Sequence, residues 1–290
     1  MARNAAKTGP APTVIVALEQ QFPESARIIN DELARQILPF TARASIWLIP
    51  RIVSLESIVR WVEKRVPGMW SGFLCRKRFI DDKLAEAVGD QTEVMVNLGA
   101  GFDTRAYRLA ALSDVPVWEV DQPHNIKAKR LRLRKVLEGI PAHVTLVEID
   151  FDHEILGDVL TQHGYAGDMK TFFVWEAVTQ YLPEPSIRAT FDFLARAPSG
   201  SLLAFTYVRK DFIDGESRYG HDILYERMVL KEKSWLFGLD PGDVADFLST
   251  YGWKVLEHLG YEELAERYVI STRTELLTTS LERIVYAEKL

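Results

Sequence analysis

The chain has 290 residues, of which 47% are hydrophobic and 26% are charged, as in an ordinary globular protein with room for a substantial core. Its formal net charge of -6 argues against a nucleic-acid-binding protein that relies on a broad basic surface. The single cysteine, Cys75, excludes an internal disulfide framework and fits a reducing cytosol.

Targeting and metal-binding patterns are also missing from the sequence. The polar N-terminal segment lacks the apolar core of a signal peptide, and Arg43 interrupts the best candidate for a membrane span, residues 37–50. The histidines and the cysteine do not have the spacing of a metal site. We therefore expect a soluble cytoplasmic protein that binds no nucleic acid, no membrane and no metal. The sequence does not indicate its oligomeric state.

Residues 1–88 precede the first strand and predict a helical cap, after a disordered start over residues 1–12. The cap would lie over a ligand-binding cleft, or its helices would only cover one face of the sheet. An apolar stripe at helical spacing, the N-cap residue Ser54 and the helix-ending pair Pro67-Gly68 indicate these helices. Three helices are predicted, at 23–38, 54–66 and 73–88.

A strand, a glycine turn and a helix follow one another from residue 94. The apolar run Val94–Val96 leads into Gly99-Ala100-Gly101, and Asp103 and Thr104 are good N-cap residues for a helix over 105–112. Glycines let the backbone approach a bound ligand closely, and a helix N-terminus offers unpaired N–H groups. This pattern predicts a ligand-binding turn, although an ordinary tight turn would also fit a G-x-G taken alone.

The second predicted strand, 115–120, ends in Asp121, about 20 residues past the glycines, where a βαβ nucleotide site places the acid that binds ribose hydroxyls. The third glycine of a dinucleotide fingerprint is replaced by Thr104. A pyrophosphate needs the helix to pack closely, whereas a nucleoside without phosphates needs only the turn and the acid. The spacing therefore favours S-adenosylmethionine (SAM) over NAD.

Two further strands end in acids. A helix over 123–137 carries the basic run 127–135, which we interpret as a solvated helix face. Strand 144–149 ends at Asp150 and strand 171–175 ends at Glu176. In a parallel sheet these acids and Asp121 would share the carboxyl edge, where ligands bind. The remaining elements predicted between and after these strands are helices 153–163, 184–196 and 241–251 and strands 201–208, 253–258 and 281–287.

Four separated motifs, in order VNLGAGFDTRAYRL, WEVDQP with Lys127 and Lys129 just after it, EIDF and VWEAVTQYL, closely resemble the leucine carboxyl methyltransferase family. The chain looks most like the bacterial branch of O-methyltransferases associated with polyketide biosynthesis. The likeness runs from about Cys75 to the C-terminus and is vaguer before Ser71. It implies a Rossmann-like α/β fold of the class I SAM-dependent methyltransferases. In this fold a mostly parallel seven-stranded sheet contains an antiparallel last strand, and the SAM-binding catalytic domain would span residues 89–290.

The resemblance also implies residue roles. Arg76 would bind the methionine carboxylate of SAM, with Arg78 as the second choice, and Asp150 with Phe151 would bind adenine. Ala177 stands where the family usually has glycine, which adds a methyl group near the cofactor. The complete predicted cofactor-binding set is Arg76, Gly99, Ala100, Gly101, Asp121, Gln122, Asp150, Phe151 and Glu176.

The predicted reaction is methyl transfer from SAM to an oxygen of a small molecule, a carboxylic acid or polyketide-like compound. A charged, aromatic-rich insertion at about 209–240 would form a wall of the acceptor pocket and contain a helix near 221–231. Arg209 would clamp an acceptor carboxylate, which needs no base. A hydroxyl acceptor would need one, and Tyr181 or His221 are candidates, with a structural role as the alternative for both.

Three other functions remain open at this point. The same pocket could serve SAM chemistry without methyl transfer, such as cyclisation or aminocarboxypropyl transfer. A NAD-dependent oxidoreductase is disfavoured by the absent third glycine. A non-catalytic SAM-binding protein is the third alternative.

Overall fold

The computed structural model describes residues 10–88, 92–151, 153–269, 276 and 279–290. Its centre is a single sheet of seven strands with the spatial order β3-β2-β1-β4-β5-β7-β6. In chain order the strands are β1 Val94–Leu98, β2 Val117–Asp121, β3 Val144–Glu148, β4 Thr171–Trp175, β5 Leu202–Val208, β6 Trp253–Gly260 and β7 Glu282–Lys289.

The sheet is mostly parallel, as predicted. β1 pairs in parallel with β2 and β4, β2 with β3, and β4 with β5, whereas β7 runs antiparallel to both β5 and β6. Every residue of β1, β2, β4 and β5 is buried, as expected for strands covered on both faces. The strand order reverses between β1 and β4, and ligands bind at the carboxyl ends of strands around such a switch point.

Helices and turns fill the chain ahead of β1. The helix predicted over 54–66 is confirmed, and Ser54 caps it by accepting a hydrogen bond from the backbone N–H of Ser57. The helix predicted over 23–38 is wrong in extent, because Asp31 caps a new, short helix by accepting from Ala34 N–H at 2.9 Å. The elements are α1 Pro10–Glu19, a 3₁₀ turn Glu24–Ala26, α2 Glu32–Ile37, α3 Phe40–Ile52, α4 Leu55–Arg65 and α5 Met69–Ala87.

Two further predictions for this part of the chain need correction. Residues 10–12, predicted to be disordered, begin α1, whereas residues 1–9 lie outside the described residues. Helix α3 was not predicted. The longest of these helices, α5, packs its apolar side chains into the same core as one face of the sheet. The division of the chain at residue 88 stays a prediction. Among the described residues, no helix combines the length and the apolar character needed to cross a membrane.

The remaining helices connect the strands and flank the sheet. The helix predicted over 105–112 ends at Arg108 and continues as a 3₁₀ turn, Ala110–Leu112. The helix predicted near 221–231 forms as one α-helical turn followed by a π-helical segment, Glu226–Lys231. The helices are α6 Arg105–Arg108, α7 Pro123–Val136, α8 Leu156–Gln162, α9 Glu184–Leu194, α10 Lys210–Ile213, α11 Asp222–Tyr225, α12 Val244–Ser249 and α13 Tyr261–Tyr268.

The basic run on α7 is not a uniformly solvated face, so that prediction is wrong at Lys129. The side chain of Lys129 is fully buried, and its Nζ lies 2.7 Å from Oε2 of the equally buried Glu119 on β2. The Tyr107 hydroxyl donates a second hydrogen bond to the same carboxylate. A buried carboxylate in a central strand needs a charged partner, and α7 supplies it.

Candidate cofactor and acceptor site

A cavity of about 390 Å³ lies at the carboxyl ends of β1, β2, β4 and β5. Residues from the end of α4 to the start of α5 also line it, so the N-terminal helices contribute to its wall. The structure brings most of the predicted site residues to this one cavity. They are Arg76, Gly99, Ala100, Gly101, Asp121, Gln122, Phe151, Glu176, Tyr181 and His221.

The glycine turn after β1 requires both of its glycines. Gly99 has φ +74°, and a Cβ at this position would lie 2.4 Å from Cγ2 of Val178 in the loop after β4. Gly101 also has positive φ, +41°, and its N–H donates a hydrogen bond to Oδ2 of Asp121 at 2.6 Å. The turn and the acid at the end of β2 therefore form one unit, with the backbone of the turn open to the cavity.

Asp121 is buried and already accepts three hydrogen bonds. Oδ1 accepts from Gln122 N–H at 2.6 Å and from the side-chain amide of Asn125 at 2.8 Å, and Oδ2 accepts from Gly101. Burial raises the pKa of this carboxyl, and these hydrogen bonds oppose that effect. Because an ionised carboxylate has about four acceptor sites, Oδ2 keeps one for a ligand hydroxyl.

Arg76 lies in the wall of the cavity, where it joins two elements of the fold. Its Nε is 2.8 Å from Oε1 of Glu176 at the end of β4, and its Nη1 is 2.7 Å from Oε2 of Glu282 at the start of β7. Lys77 also lines the cavity, but its Nζ is 3.6 Å from Glu176 and 3.8 Å from Asp103. The ammonium of Lys77 is thus held less tightly than the guanidinium of Arg76.

A buried charge cluster supports the carboxylate of Glu176. Nη1 of Arg105 lies 2.7 Å from Oε2 of Glu176, and the same guanidinium bonds to Asp81 and Asp103. Burial alone would raise the pKa of the Glu176 carboxyl, but the charges of Lys77, Arg105 and Arg76 outweigh burial and lower it well below its usual range. The pKa of Asp103 falls to about 2 for the same reason. The carboxyl groups of Glu176 and Asp103 in the cavity wall are therefore ionised at neutral pH and held by ion pairs.

Ala177, which stands where the family usually has glycine, adopts φ +58°. This left-handed conformation is costly for a residue with a Cβ. The Ala177 N–H donates a hydrogen bond to Oγ1 of Thr206 on β5 at 2.8 Å, which helps to hold the loop in place. From the sequence we expected only an added methyl group near the cofactor. The tertiary structure shows in addition that the backbone of Ala177 is strained.

Two predicted cofactor contacts lie away from the cavity wall. Asp150 is not among the residues that line it; its side chain is 51% exposed and bonds to His153 Nδ1 at 2.9 Å. Its neighbour Phe151 does line the cavity. Arg78, the second choice for binding the methionine carboxylate, bonds to Asp82 and does not line the cavity. Arg76 and Lys77 do line it and are the better candidates for that role.

Arg209 does not line the cavity, and its position does not support the predicted carboxylate clamp. Nη2 of Arg209 forms an ion pair with Oδ2 of Asp211, in the first turn of α10, at 3.0 Å. The same guanidinium lies 4.9 Å from the centre of the Tyr219 ring. Tyr181 and His221 do line the cavity. The ring of Tyr181 packs edge-to-face against Trp235 at 6.3 Å, so aromatic residues form part of this wall.

Several lining residues were missed by sequence reasoning. Lys77 was detectable, because it sits beside Arg76 in the basic run of α5. Glu282 and Thr279 belong to the chain around the start of β7, and no local pattern marks them. Trp235, within the predicted insertion at about 209–240, lines the cavity as expected. The missed lining residues that matter for the arguments below are Lys77, Asn97, Gln180, Thr279 and Glu282.

The family model of leucine carboxyl methyltransferase matches residues 11–195. A relative from Mycobacterium avium (strain 104), named "Putative S-adenosyl-L-methionine-dependent methyltransferase", is 28% identical over 258 residues, which cover 84% of this chain and 82% of the relative. A protein of the same name from Mycolicibacterium paratuberculosis is 29% identical over 228 residues, covering 74% of this chain and 80% of that protein.

Solved structures support the fold class. A structure from Thermobifida fusca, described as a "putative methyltransferase", superposes with a TM-score of 0.57 at 12% identity, covering 82% of this chain and 89% of that one. A duf574 family protein from Streptomyces avermitilis gives a TM-score of 0.56 at 13% identity, covering 82% and 91%. The predicted class I methyltransferase fold is confirmed. The chain belongs to the leucine carboxyl methyltransferase family, and it is a SAM-dependent methyltransferase.

Proposed function

We propose that the protein transfers the methyl group of SAM to an oxygen atom of a small molecule. SAM dependence follows from family membership, whereas the oxygen and the small acceptor are the proposed part. The observation that carries the proposal is that one cavity has two chemically different sides. On one side it is lined by the glycine turn and Asp121, and on the other by the aromatic and aliphatic residues around Tyr181 and Trp235. A donor and an acceptor can therefore lie side by side in it.

The described residues fit a nucleoside-containing donor. Oδ2 of Asp121 keeps an acceptor site for a ribose hydroxyl, and the Gly99–Gly101 backbone allows close approach. Asn97 lines the cavity, and its Nδ2 is buried without a hydrogen-bond partner among the described residues, as expected of a donor group that a ligand would satisfy. Phe151 offers an apolar face for adenine.

The amino-acid end of the donor would lie near Arg76, Lys77 and Glu176. The ammonium of Lys77 can pair with a ligand carboxylate, and the ionised Glu176 can accept from a ligand ammonium. When bound, SAM supplies an electrophilic methyl group on a sulfonium. The protein then has to align the acceptor oxygen behind that methyl group and exclude water from it.

Incubation with methyl-labelled SAM and a panel of small acids, alcohols and phenols tests the proposal. We expect S-adenosylhomocysteine and a labelled ester or ether in equal amounts. Methylthioadenosine without a labelled product would indicate SAM chemistry other than methyl transfer, and label on nitrogen or carbon would exclude O-methylation. Calorimetry should detect S-adenosylhomocysteine binding and no NADH binding; the reverse would support the oxidoreductase alternative.

The biological setting remains part of the proposal. The resemblance to polyketide-associated O-methyltransferases is what suggests a role in secondary metabolism. Purified polyketide-like acceptors in the same assay, beside simple acids of equal size, test this setting. Turnover confined to simple acids would contradict it.

A further inference from the structure

The acceptor side of the cavity is mostly apolar and offers little positive charge. Among the described residues, Arg227 is a cation on this side; its side chain is 63% exposed and its Nε bonds to Glu232 at 2.8 Å. The guanidinium of Arg76 lies 4.9 Å from the centre of the Phe73 ring, but Glu176 and Glu282 already pair with it. Arg209, the predicted counter-ion, lies outside the cavity. The apolar and aromatic residues of this side are Met69, Phe73, Tyr181, Leu182, Leu224, Met228 and Trp235.

His221 is the most deeply buried titratable group on this side, with 2% of its surface exposed. Its Nε2 lies 2.7 Å from Oγ1 of Thr279, while its Nδ1 is buried and has no hydrogen-bond partner among the residues that the structure describes. Burial lowers the pKa of His221 to about 4, although the nearby charge of Asp222 acts in the opposite direction. The ring is therefore neutral at pH 7.

The hydrogen bond between Nε2 of His221 and Thr279 is compatible with a tautomer in which Nδ1 can act as a base. With the imidazole proton on Nε2, where it can be donated to Oγ1 of Thr279, Nδ1 carries a free lone pair. Oγ1 of Thr279 also lies 3.3 Å from Leu281 N–H, which donates to it and fixes its position. A buried acceptor atom without a partner destabilises the site, so Nδ1 would gain from a ligand that donates a hydrogen bond to it.

Two other unpartnered polar atoms belong to residues of the same wall. Both Gln180 and Trp235 line the cavity, and Oε1 of Gln180 and Nε1 of Trp235 are buried without a hydrogen-bond partner in the described part of the chain. An ionised carboxylate would have to leave water and face the lone pairs of His221 and Gln180 without an unpaired cation nearby. A neutral hydroxyl can instead donate to one lone pair, and further polar groups of the ligand can satisfy the remaining atoms.

We propose that this side of the cavity binds an apolar molecule with a neutral hydroxyl group, and that Nδ1 of His221 removes the hydroxyl proton while Thr279 positions the ring. This inference rests on the proposed methyl transfer and names its acceptor class. The acceptor oxygen forms a bond to the methyl carbon as the carbon–sulfur bond breaks, and that electron pair stays on sulfur. The hydroxyl proton moves to Nδ1, and the imidazolium later releases it to water.

The first test compares matched ligands that differ only in the reacting group. Five hydroxyarenes of one to three rings and their matched arene carboxylic acids, such as 2-naphthol and 2-naphthoic acid, are titrated into protein saturated with S-adenosylhomocysteine. We expect at least one hydroxyarene to bind tenfold or more tightly than its carboxylic acid at pH 7.5. Equal or tighter binding of the acids, or no binding of any hydroxyarene, would overturn the acceptor class.

The second test asks whether His221 acts as a base or only supports the wall. With the best hydroxyarene, His221→Gln should lower turnover at pH 7.5 by at least about 100-fold, the low end for loss of a general base. The deficit should shrink toward pH 9.5, where the hydroxyarene ionises without help. A deficit that stays constant across this range would show a structural role. The charged groups near His221 are Asp222 and Arg227, both on the helical segment that follows it, and Glu282 at the start of β7, which lines the same cavity.

Controls separate this inference from the broader proposal. Thr279→Val should lower turnover less than His221→Gln, and Thr279→Ser should restore it. His163→Gln, at an exposed histidine away from the cavity, should change nothing. All four variants should bind S-adenosylhomocysteine within twofold of the wild type. Methyl transfer to carboxylic acids alone would reject only the acceptor class, whereas no S-adenosylhomocysteine binding and no labelled product would reject the proposed function itself.

Discussion

Nε of Arg76 lies 2.8 Å from Oε1 of Glu176, and this contact joins helix α5 to the end of strand β4. The second carboxylate partner of Arg76, Glu282, lies at 2.7 Å. A guanidinium held by two carboxylates is a poorer candidate for a ligand carboxylate than its neighbour Lys77, whose contacts to carboxylates are 3.6 Å and longer. Binding of the methionine carboxylate of SAM, predicted for Arg76, should therefore be tested with variants of both Arg76 and Lys77.

We expect Lys77→Met to weaken SAM binding by about 10-fold or more, since a hydrogen bond to a charged group is worth about 1.5–3 kcal/mol. Binding of methylthioadenosine, which lacks the amino-acid end, should not change. Arg76→Met should instead lower the free energy of unfolding by about 3–5 kcal/mol, because it leaves buried carboxylates unpaired. Calorimetry with both ligands and urea denaturation measure these effects. Equal losses for SAM and methylthioadenosine in Lys77→Met would exclude a contact to the amino-acid end.

Asp121→Asn should weaken S-adenosylhomocysteine binding by about 10- to 150-fold, which corresponds to about 1.5–3 kcal/mol. The amide would present an N–H₂ group either to the Gly101 N–H and the ribose hydroxyl, or to the Gln122 N–H and the Asn125 amide, so each orientation loses hydrogen bonds that the carboxylate accepts. Asp114→Asn, at an exposed acid before β2, serves as the control and should bind normally. Wild-type affinity in a folded Asp121→Asn variant would reject the ribose role.

Ala177→Gly should raise the free energy of unfolding by about 0.5–1 kcal/mol, because glycine adopts a φ of +58° without the clash of a Cβ. Ala85→Gly is the matched control, at an exposed position inside α5, and it should cost about 0.5–1 kcal/mol. Thermal and urea denaturation distinguish the opposite signs. A loss of stability in both variants would show that the loop after β4 is not strained at this residue.

The buried pair of Lys129 and Glu119 predicts a non-additive double-mutant cycle. Lys129→Met alone should cost about 3–5 kcal/mol, because it leaves the Glu119 carboxylate buried without its cation. Combining it with Glu119→Gln should recover part of that loss, since the amide can still accept from the Tyr107 hydroxyl. Lys127→Met, on the exposed face of the same helix, should change stability by less than about 0.5 kcal/mol. Additive losses in the cycle would argue against a buried ion pair.

His258 makes stability depend on pH. Burial lowers the pKa of His258 to about 4, the charge of Arg283 acts in the same direction, and Glu263 opposes it. In the unfolded chain the pKa is about 6.5. As the pH falls from about 6.5 to 4, the unfolded state takes up a proton that the folded state does not, so stability is lost over this window. Urea denaturation of His258→Gln should show a smaller loss than the wild type. His163→Gln should keep the wild-type slope, and identical slopes in all three proteins would contradict the assignment.

The sequence by itself determined the strand, the glycine turn and the acids at the strand ends. These features follow from local chemistry: an apolar run forms a buried strand, two glycines are needed where φ is positive, and parallel strands bring their carboxyl ends to one edge. For that reason Gly99, Gly101, Asp121 and Glu176 were all found at one cavity. The parallel sheet and its antiparallel last strand could likewise be predicted from the family motifs.

Only the tertiary structure decided which charges and polar groups meet. The sequence pattern predicted a solvated Lys129 on its helix, but the side chain is buried and pairs with Glu119 of strand β2. Arg209 was predicted to bind an acceptor carboxylate from the end of a strand. It instead pairs with Asp211 and does not line the cavity. His221 and Thr279 are separated by 58 residues, and their contact leaves one imidazole nitrogen unpartnered in the cavity wall. Burial and pairing depend on the segments that pack against a residue, and a local sequence pattern does not contain that information.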